Sequence, residues 1–105
     1  MNPSILIDDD GEIIVNLRQV NYSLYHSENK QMFPSYWGPL SYIHPENDMT
    51  LRTTNYLMRL DDNLHVKDYT VVDTSMLDEE PKWHFIGQED ARLAKWDGNY
   101  YLIGV

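Results

Sequence analysis

The dipeptide Asp-Gly occurs twice between apolar runs, as Asp10-Gly11 in ILIDDDGEIIVNLRQV and as Asp97-Gly98 in RLAKWDGNYYLIGV. No other feature restricts the fold of this chain as much. A type I′ turn needs positive φ at both central residues, a conformation that Asp and Gly tolerate, and its twist matches that of two antiparallel strands. Each copy therefore predicts a two-residue β-hairpin. Alternation agrees in the first copy. Ile13, Val15 and Leu17 fall on one face, and Glu12, Asn16 and Arg18 fall on the other, with Ile14 among them.

A third pair of strands follows from composition. LRTTNYLMRL and LHVKDYTVV are rich in β-branched and aromatic residues and flank Asp61-Asp62-Asn63, which reads as a three-residue loop. Strands are expected at 51–60 and 64–72. Two stretches, 23–49 and 73–85, read as irregular. The first contains Pro34, Gly38, Pro39 and Pro45. In the second, Ser75 is positioned to cap a short helical turn.

The two Asp-Gly runs overlay without a gap at an offset of 87 residues. Asn2 falls on Glu89, Pro3 on Asp90, Leu6 on Leu93 and Arg18 on Val105. The simplest unit is four antiparallel strands, followed by the first hairpin of a second unit. Radially repeated four-stranded sheets are the blades of a β-propeller. The expected fold is thus all-β, an antiparallel four-stranded blade plus a further hairpin, a partial five-bladed β-propeller. Residues 1–105 form one partial domain. The first blade covers about 1–73 and carries the long 23–49 loop, 74–88 connect, and 89–105 open the second blade. A blade buries its faces against neighbours, and one and a half blades cannot close a ring. The remaining blades of a longer chain are therefore the expected partners. A free-standing small β domain is the alternative.

The totals exclude several classes. A net charge of −9 repels a phosphate backbone, so nucleic acid is not an expected partner. No apolar run approaches the ~20 residues of a membrane span, and MNPSILIDDD lacks the basic and apolar regions of a signal peptide. The absence of cysteine removes disulfides, thiolate metal sites and a cysteine nucleophile, and it fits a reducing, cytoplasmic setting. His26, His44, His65 and His84 have no metal-ligand spacing, and Asp8-Asp9-Asp10-Gly11 lacks the alternating ligands of a calcium loop. No metal site is predicted.

Polar residues converge at one end of the hairpins. If Asp10-Gly11 forms a two-residue turn, paired positions sum to 21, so that Pro3 opposes Arg18 and Asn2 opposes Gln19. This gathers Asn2, Arg18, Asn21 and Tyr22, and the second copy brings Glu89, Asp90 and Arg92 to the matching end. Arginines, amides and carboxylates around one opening suit a ligand rich in hydroxyls. The plainer reading is that these are strand-end residues bonded to backbone groups or to one another. Among the tryptophans, Trp37 lies in the long loop and is the candidate for stacking on a sugar ring, whereas Trp96 suits packing between blades.

NPSI followed by DGEIIVNLR, together with GQEDARLAKWDGNYYLIGV, resembles the N-terminal blades of the five-bladed propeller glycosidases, and most closely the β-mannoside phosphorylase and hydrolase family. The counterparts are Asn2-Pro3, Arg18, Glu89-Asp90-Ala91-Arg92 and Tyr100-Tyr101. The resemblance implies that Asp90 is the acid that protonates the leaving oxygen, in phosphorylases through a sugar hydroxyl. It implies that Asn2, Arg18 and Arg92 hold sugar hydroxyls or phosphate, with Glu89 shaping the same pocket. The chemistry is consistent, because a glycosidic oxygen needs a proton donor and an inverting displacement needs phosphate or water on the opposite face. An oligosaccharide or glycan is the implied ligand. No resident cofactor is implied, and inorganic phosphate is the co-substrate if the reaction is phosphorolysis. Two departures stand out: Ala91 replaces the family's proline, and VNYSLYHSENKQMFPSYW has no counterpart. The segment alone is expected to be inactive. The alternative is a glycan-binding propeller without catalysis, attached to another activity such as a glycosyltransferase.

Overall fold

A computed structural model of the chain describes residues 2–26, 35–37, 40–43, 50–78 and 85–105. These residues form an all-β structure. Its strands are β1 (Ser4–Ile7), β2 (Ile13–Val20), β3 (Ser23–His26), β4 (Ser35–Trp37), β5 (Leu40–Ile43), β6 (Leu51–Leu60), β7 (Val66–Val72), β8 (Phe85–Ile86), β9 (Arg92–Trp96) and β10 (Asn99–Ile103). The main sheet runs β1-β2-β6-β7 and is antiparallel throughout, with β8 added in parallel to the start of β6. β9 and β10 form a separate hairpin, and β3, β5 and β4 form a small antiparallel sheet. Among the described residues, no helix is long and apolar enough to cross a membrane.

The second Asp-Gly hairpin forms as expected. Asp97 and Gly98 have φ of 48° and 74°, as a type I′ turn requires, and Trp96 opposes Asn99. The first hairpin differs. Ser4 pairs with Asn16 and Ile7 with Ile13, so paired positions sum to 20, not 21. The loop is the three residues Asp9, Asp10 and Gly11, closed by Gly11 N to Asp8 O and Asp8 N to Glu12 O, both 2.9 Å. Only Gly11 takes positive φ (84°), whereas a type I′ turn would force Asp10 there too. The Asp10 carboxylate instead accepts the Glu12 N–H at 3.0 Å, fixing a local side-chain turn that the two-residue loop lacks. Carried past Ser4, this register sets Asn2 opposite Arg18, where the expectation was Pro3.

The third hairpin uses the same three-residue geometry one position later than expected. Leu64 N bonds Asp61 O and Asp61 N bonds His65 O, so Asp62, Asn63 and Leu64 form the loop. Leu64 takes the left-handed position with φ of 64°. β6 has its expected bounds, while β7 begins at Val66, because Leu64 lies in the loop and His65 closes it against Asp61. Two further expectations are corrected. The 23–49 stretch contains the strands β3, β4 and β5, because its Tyr, Trp and Ile residues favour pairing despite the prolines around them. The turn at Ser75–Leu77 is a 3-10 helix that Ser75 does not cap but begins; the Thr74 side chain before it makes no cap hydrogen bond, and the Asp73 carboxylate accepts the Ser75 N–H at 3.0 Å.

The registers divide the main sheet into two faces. Ile5, Ile7, Val15, Leu17, Tyr56 and Met58 share the front, and Ser4, Leu6, Ile14, Asn16, Arg18 and Asn55 share the back. The β9–β10 hairpin packs on the back. Its inner face carries Leu93, Lys95, Tyr100 and Leu102; its outer face carries Arg92, Ala94, Trp96, Tyr101 and Ile103. Lys95 and Tyr100 both reach Asp8, which continues the back face past Leu6. Leu93 N donates to Ser4 Oγ at 3.0 Å, so β9 runs beside β1.

The longer first loop also changes the repeat. Asp8, which closes the first hairpin against Glu12, corresponds to Trp96, which closes the second against Asn99. The first strands therefore match at an offset of 88, and the ungapped offset of 87 holds only for the second strands. With this correction, front residues Ile5, Ile7, Ile13 and Val15 correspond to Leu93, Lys95, Tyr100 and Leu102. The hairpin presents its front to the back of the preceding sheet. The two units stack front to back.

Candidate functional site

The back face of β2 and β6 holds the most buried polar residues of the described chain. Asn16 and Asn55 are 0% and 1% exposed, and Thr53 is buried with them. A buried amide is costly unless bonded. Asn16 Nδ2 donates to Asn55 Oδ1 at 3.0 Å and to Ala91 O at 3.2 Å. Asn55 Nδ2 donates to Gln88 O at 2.8 Å. The two asparagines thus hold the carbonyls on either side of Glu89 and Asp90, and clamp that segment to the sheet.

Glycines let the segment approach. Gly87 has φ of 95°, and a Cβ there would lie 2.0 Å from Thr53 O. A Cβ on Gly104 would lie 2.5 Å from Glu89 O. Between these contacts the ladder bulges. Ile103 pairs with Arg92, but Val105 exchanges both backbone bonds with Glu89 at 2.8 Å, and not with Asp90 as the turn register alone predicts. Asp90 and Ala91 therefore face the single residue Gly104. Asp90 takes positive φ (47°), a conformation that Asp tolerates better than most residues. Bulges re-aim side chains and recur beside functional sites.

The bulge turns Asp90 toward the ends of β1 and β2. Its Oδ1 accepts Arg18 Nη1 at 3.0 Å and Asn2 Nδ2 at 3.4 Å, with 60% of the side chain exposed. Glu89 points the other way. Its Oε1 accepts Tyr22 OH at 2.8 Å and Thr53 Oγ1 at 3.2 Å. The Tyr22 ring is fixed edge-to-face against Tyr42 and Phe85, with centroids 5.7 and 6.1 Å away. Burial, and next the bond to the Glu89 carboxylate, push the Tyr22 phenol up to about 12. It stays a neutral donor at physiological pH.

The sequence candidates thus separate. Asn2, Arg18 and Asp90 meet in one cluster, and Tyr22 and Glu89 form a second beside it. Asn21 belongs to neither. Its Oδ1 accepts Arg52 N at 2.7 Å and its Nδ2 donates to Thr50 O at 3.0 Å, so its amide extends the β2–β6 ladder. Arg92 lies on the outer face of β9, across the strand from the inner face that meets Asp8. Trp37 is in β4, and its side chain lies outside the described residues. Sequence reading missed Asn16, Thr53 and Asn55. Their alternation with apolar residues was visible, but a buried polar face has the same alternation as a wet one.

A cleft of about 340 Å³ opens at the far end of the hairpins, lined by Leu6, Ile7, Asp8, Asp9, Lys95, Asp97 and Gly98. There Lys95 donates to Asp8, which lowers the Asp8 carboxyl below the usual range and raises the Lys95 amine. Among the described residues, no group of three or more His, Asp or Glu side chains is arranged to hold a metal. Compared with protein-family models, with curated proteins and with solved structures, the chain shows no significant match.

Proposed function

We propose that the chain is the first one and a half blades of a five-bladed propeller that acts on glycosidic bonds, of the glycoside phosphorylase or hydrolase type. The front-to-back stacking of two units, with β1 and β9 side by side, supports the propeller, since adjacent blades meet in that way around an axis. One observation carries the site: the Asp90 carboxylate, re-aimed by a bulge, meets Arg18 and Asn2 at the strand ends of the neighbouring unit. Polar groups from two units at one opening suit sugar hydroxyls. In the catalytic reading, Asp90 gives its proton to the leaving oxygen as the glycosidic bond breaks, and the anomeric carbon bonds from the opposite face an oxygen of phosphate, which attacks as the anion, or of water, whose proton passes to a carboxylate of a further blade. Arg18 and Asn2 orient Asp90 and the ligand, Glu89 lies alongside, and Arg92 is available to a further unit.

A second reading, glycan binding without turnover, is favoured by a specific feature. The Asp90 oxygen accepts hydrogen bonds from both Arg18 and Asn2, the role of a sugar-gripping acceptor and not of a proton donor.

The test has two arms. Titration with β-1,4-mannobiose, followed by amide NMR, is expected to move the resonances of Asn2, Arg18 and Asp90; no change at about 10 mM would remove the sugar pocket. In a chain extended by its further blades, Asp90→Asn is expected to abolish turnover of β-mannosides. Unchanged turnover removes Asp90 from the mechanism, and binding without turnover in the parent protein selects the second reading.

A further inference from the structure

We propose that Asp97-Gly98 is a covalent modification site, at which the folded chain rearranges to isoaspartate, and that Asp10-Gly11 is protected from the same reaction. In an Asp-Gly pair the glycine nitrogen can bond the aspartate Cγ. The protonated carboxyl loses its hydroxyl, which leaves as water with the proton of the nitrogen, and a five-membered succinimide forms. Water then opens the ring. Attack at Cγ restores aspartate. Attack at the former backbone carbonyl leaves the main chain running through Cγ, with a free carboxylate on Cα. The water lost is regained, so no oxidant or other co-reactant is needed. Glycine favours the step, because it has no Cβ to shield the nitrogen or to limit rotation.

Both copies have the same two residues, but the fold separates them at the reacting atoms. In the first copy, Gly11 N donates to Asp8 O at 2.9 Å, and Asp10 Oδ1 accepts the Glu12 N–H at 3.0 Å. The nucleophile and the group it attacks are both held, and ring closure must break both bonds. In the second copy neither is held. Among the described residues, the Gly98 N–H and the Asp97 carboxylate have no hydrogen-bond partner. The Asp97 backbone carbonyl accepts Asn99 Nδ2 at 3.2 Å, an exposed bond. Asp97 also sits at a positive φ of 48°, which costs a residue with a Cβ, so leaving the turn relieves it. The turn is the exposed tip of the hairpin and lies on neither of its faces. The rearrangement is therefore independent of what covers those faces and of the sugar pocket.

The product acts on the joint between the two units. Isoaspartate adds a methylene to the main chain of a two-residue turn, which then loses its type I′ geometry. The turn closes the pair Trp96–Asn99, and the next pair is Lys95–Tyr100. Those two residues are the ones that reach Asp8. Rearrangement at the tip thus loosens the docking of the second unit on the first.

The experiment incubates the intact chain at physiological temperature and about pH 6, where a fraction of each carboxyl is protonated. Isoaspartate is mapped by peptide mass spectrometry, with an isoaspartyl methyltransferase as the probe. Position 97 is expected to exceed position 10 by at least about fivefold, the factor expected when two hydrogen bonds protect one site and not the other. In urea, where neither turn is formed, the two positions are expected to agree within about twofold. Asp97→Glu, whose ring would need six members, is expected to lose the signal. The rearranged chain, separated chromatographically, is expected to show shifted amide resonances at Asp8, Lys95 and Tyr100 and unshifted ones at Asn16 and Asn55. Equal isoaspartate at the two positions of the folded chain, or none at position 97, overturns the assignment of the site. Unshifted resonances at Asp8, Lys95 and Tyr100 overturn its link to the joint.

Discussion

Arg18 Nη1 lies 3.0 Å from Asp90 Oδ1 across 72 residues of sequence, joining the end of β2 to the bulge before β9. The pair is unequal, with the arginine side chain 18% exposed and the aspartate 60%. Solvent at the aspartate screens the attraction, so the coupling is that of a surface pair. A double-mutant cycle with Arg18→Met and Asp90→Asn is expected to give about 0.5–1 kcal/mol of coupling in urea unfolding. A coupling near zero would show that the two side chains do not hold each other in solution.

The buried amides carry more. Asn16→Ala leaves Ala91 O and Asn55 Oδ1 without their donor in a fully buried place. Each unmet group costs about 1–3 kcal/mol, so a loss of about 2–4 kcal/mol is expected. Asn99→Ala, at an exposed turn, is the control, with a change within about 0.5 kcal/mol. The Asp90 resonances should also shift in Asn16→Ala, because the clamp on the bulge is gone. A loss no larger than that of the control would mean that the segment is held by other contacts.

Much of this was legible in the chain. Turn chemistry predicted all three hairpins of the two main units, and strand composition predicted β6 to its ends. Register was less legible. Whether Asp10 enters the turn with positive φ or bonds Glu12 N is a contest of about a kilocalorie, and it moves every pairing by one. That contest hid the offset of the first strands, and so hid which face of the hairpin meets the sheet. The bulge at Asp90 was invisible for a different reason. It is held by Asn16 and Asn55, which are far away in sequence and become neighbours only after β2 and β6 pair. Asp90 meets Asn2 and Arg18, whereas Asn21, grouped with them by sequence position, has its amide bonded to the start of β6.

Leu64 occupies a backbone position that suits glycine, with φ of 64° and 66% exposure. The matching residue of the first hairpin is Gly11, with φ of 84°. A side chain in that conformation costs about 1–2 kcal/mol, partly offset by the extra freedom of glycine in the unfolded chain. Leu64→Gly is expected to stabilise the fold by about 0.5–1 kcal/mol, read as a higher urea midpoint with unchanged slope. Destabilisation would mean that the exposed leucine makes a contact worth more than its strain.

Two glycines with similar φ, 84° at Gly11 and 95° at Gly87, should respond differently. A Cβ on Gly11 meets nothing within 4 Å, so Gly11→Ala costs only the strain of positive φ, about 1 kcal/mol. A Cβ on Gly87 lies 2.0 Å from the Thr53 carbonyl, which is backbone and cannot rotate away. Gly87→Ala must separate the 87–91 segment from β6, and a loss above about 3 kcal/mol is expected. Equal losses would show that the close approach to Thr53 is not kept in solution.

The link between Asp8 and Lys95 gives the docking of the two units a pH dependence. The hydrogen bond from Lys95, and next that from the Asp9 N–H, hold the Asp8 carboxyl below its usual 3.8. The folded state therefore binds that proton less readily than the unfolded chain. The contribution is complete above the ordinary aspartate value and is lost as pH falls through the lower folded one. Lys95 shifts upward from 10.5, chiefly through the bond to Asp8, so its contribution is complete below that value and is lost only as pH rises beyond it. Asp8→Asn should therefore lower Tm by a constant amount between about pH 5 and pH 9. The gap should close in acid, below the ordinary aspartate pKa, and shrink in about 1 M salt. Tm scans of both proteins across that range provide the measurement. A gap that persists unchanged into acid would mean that Asp8 acts by packing, and that the charge on Lys95 does not hold the second hairpin to the first.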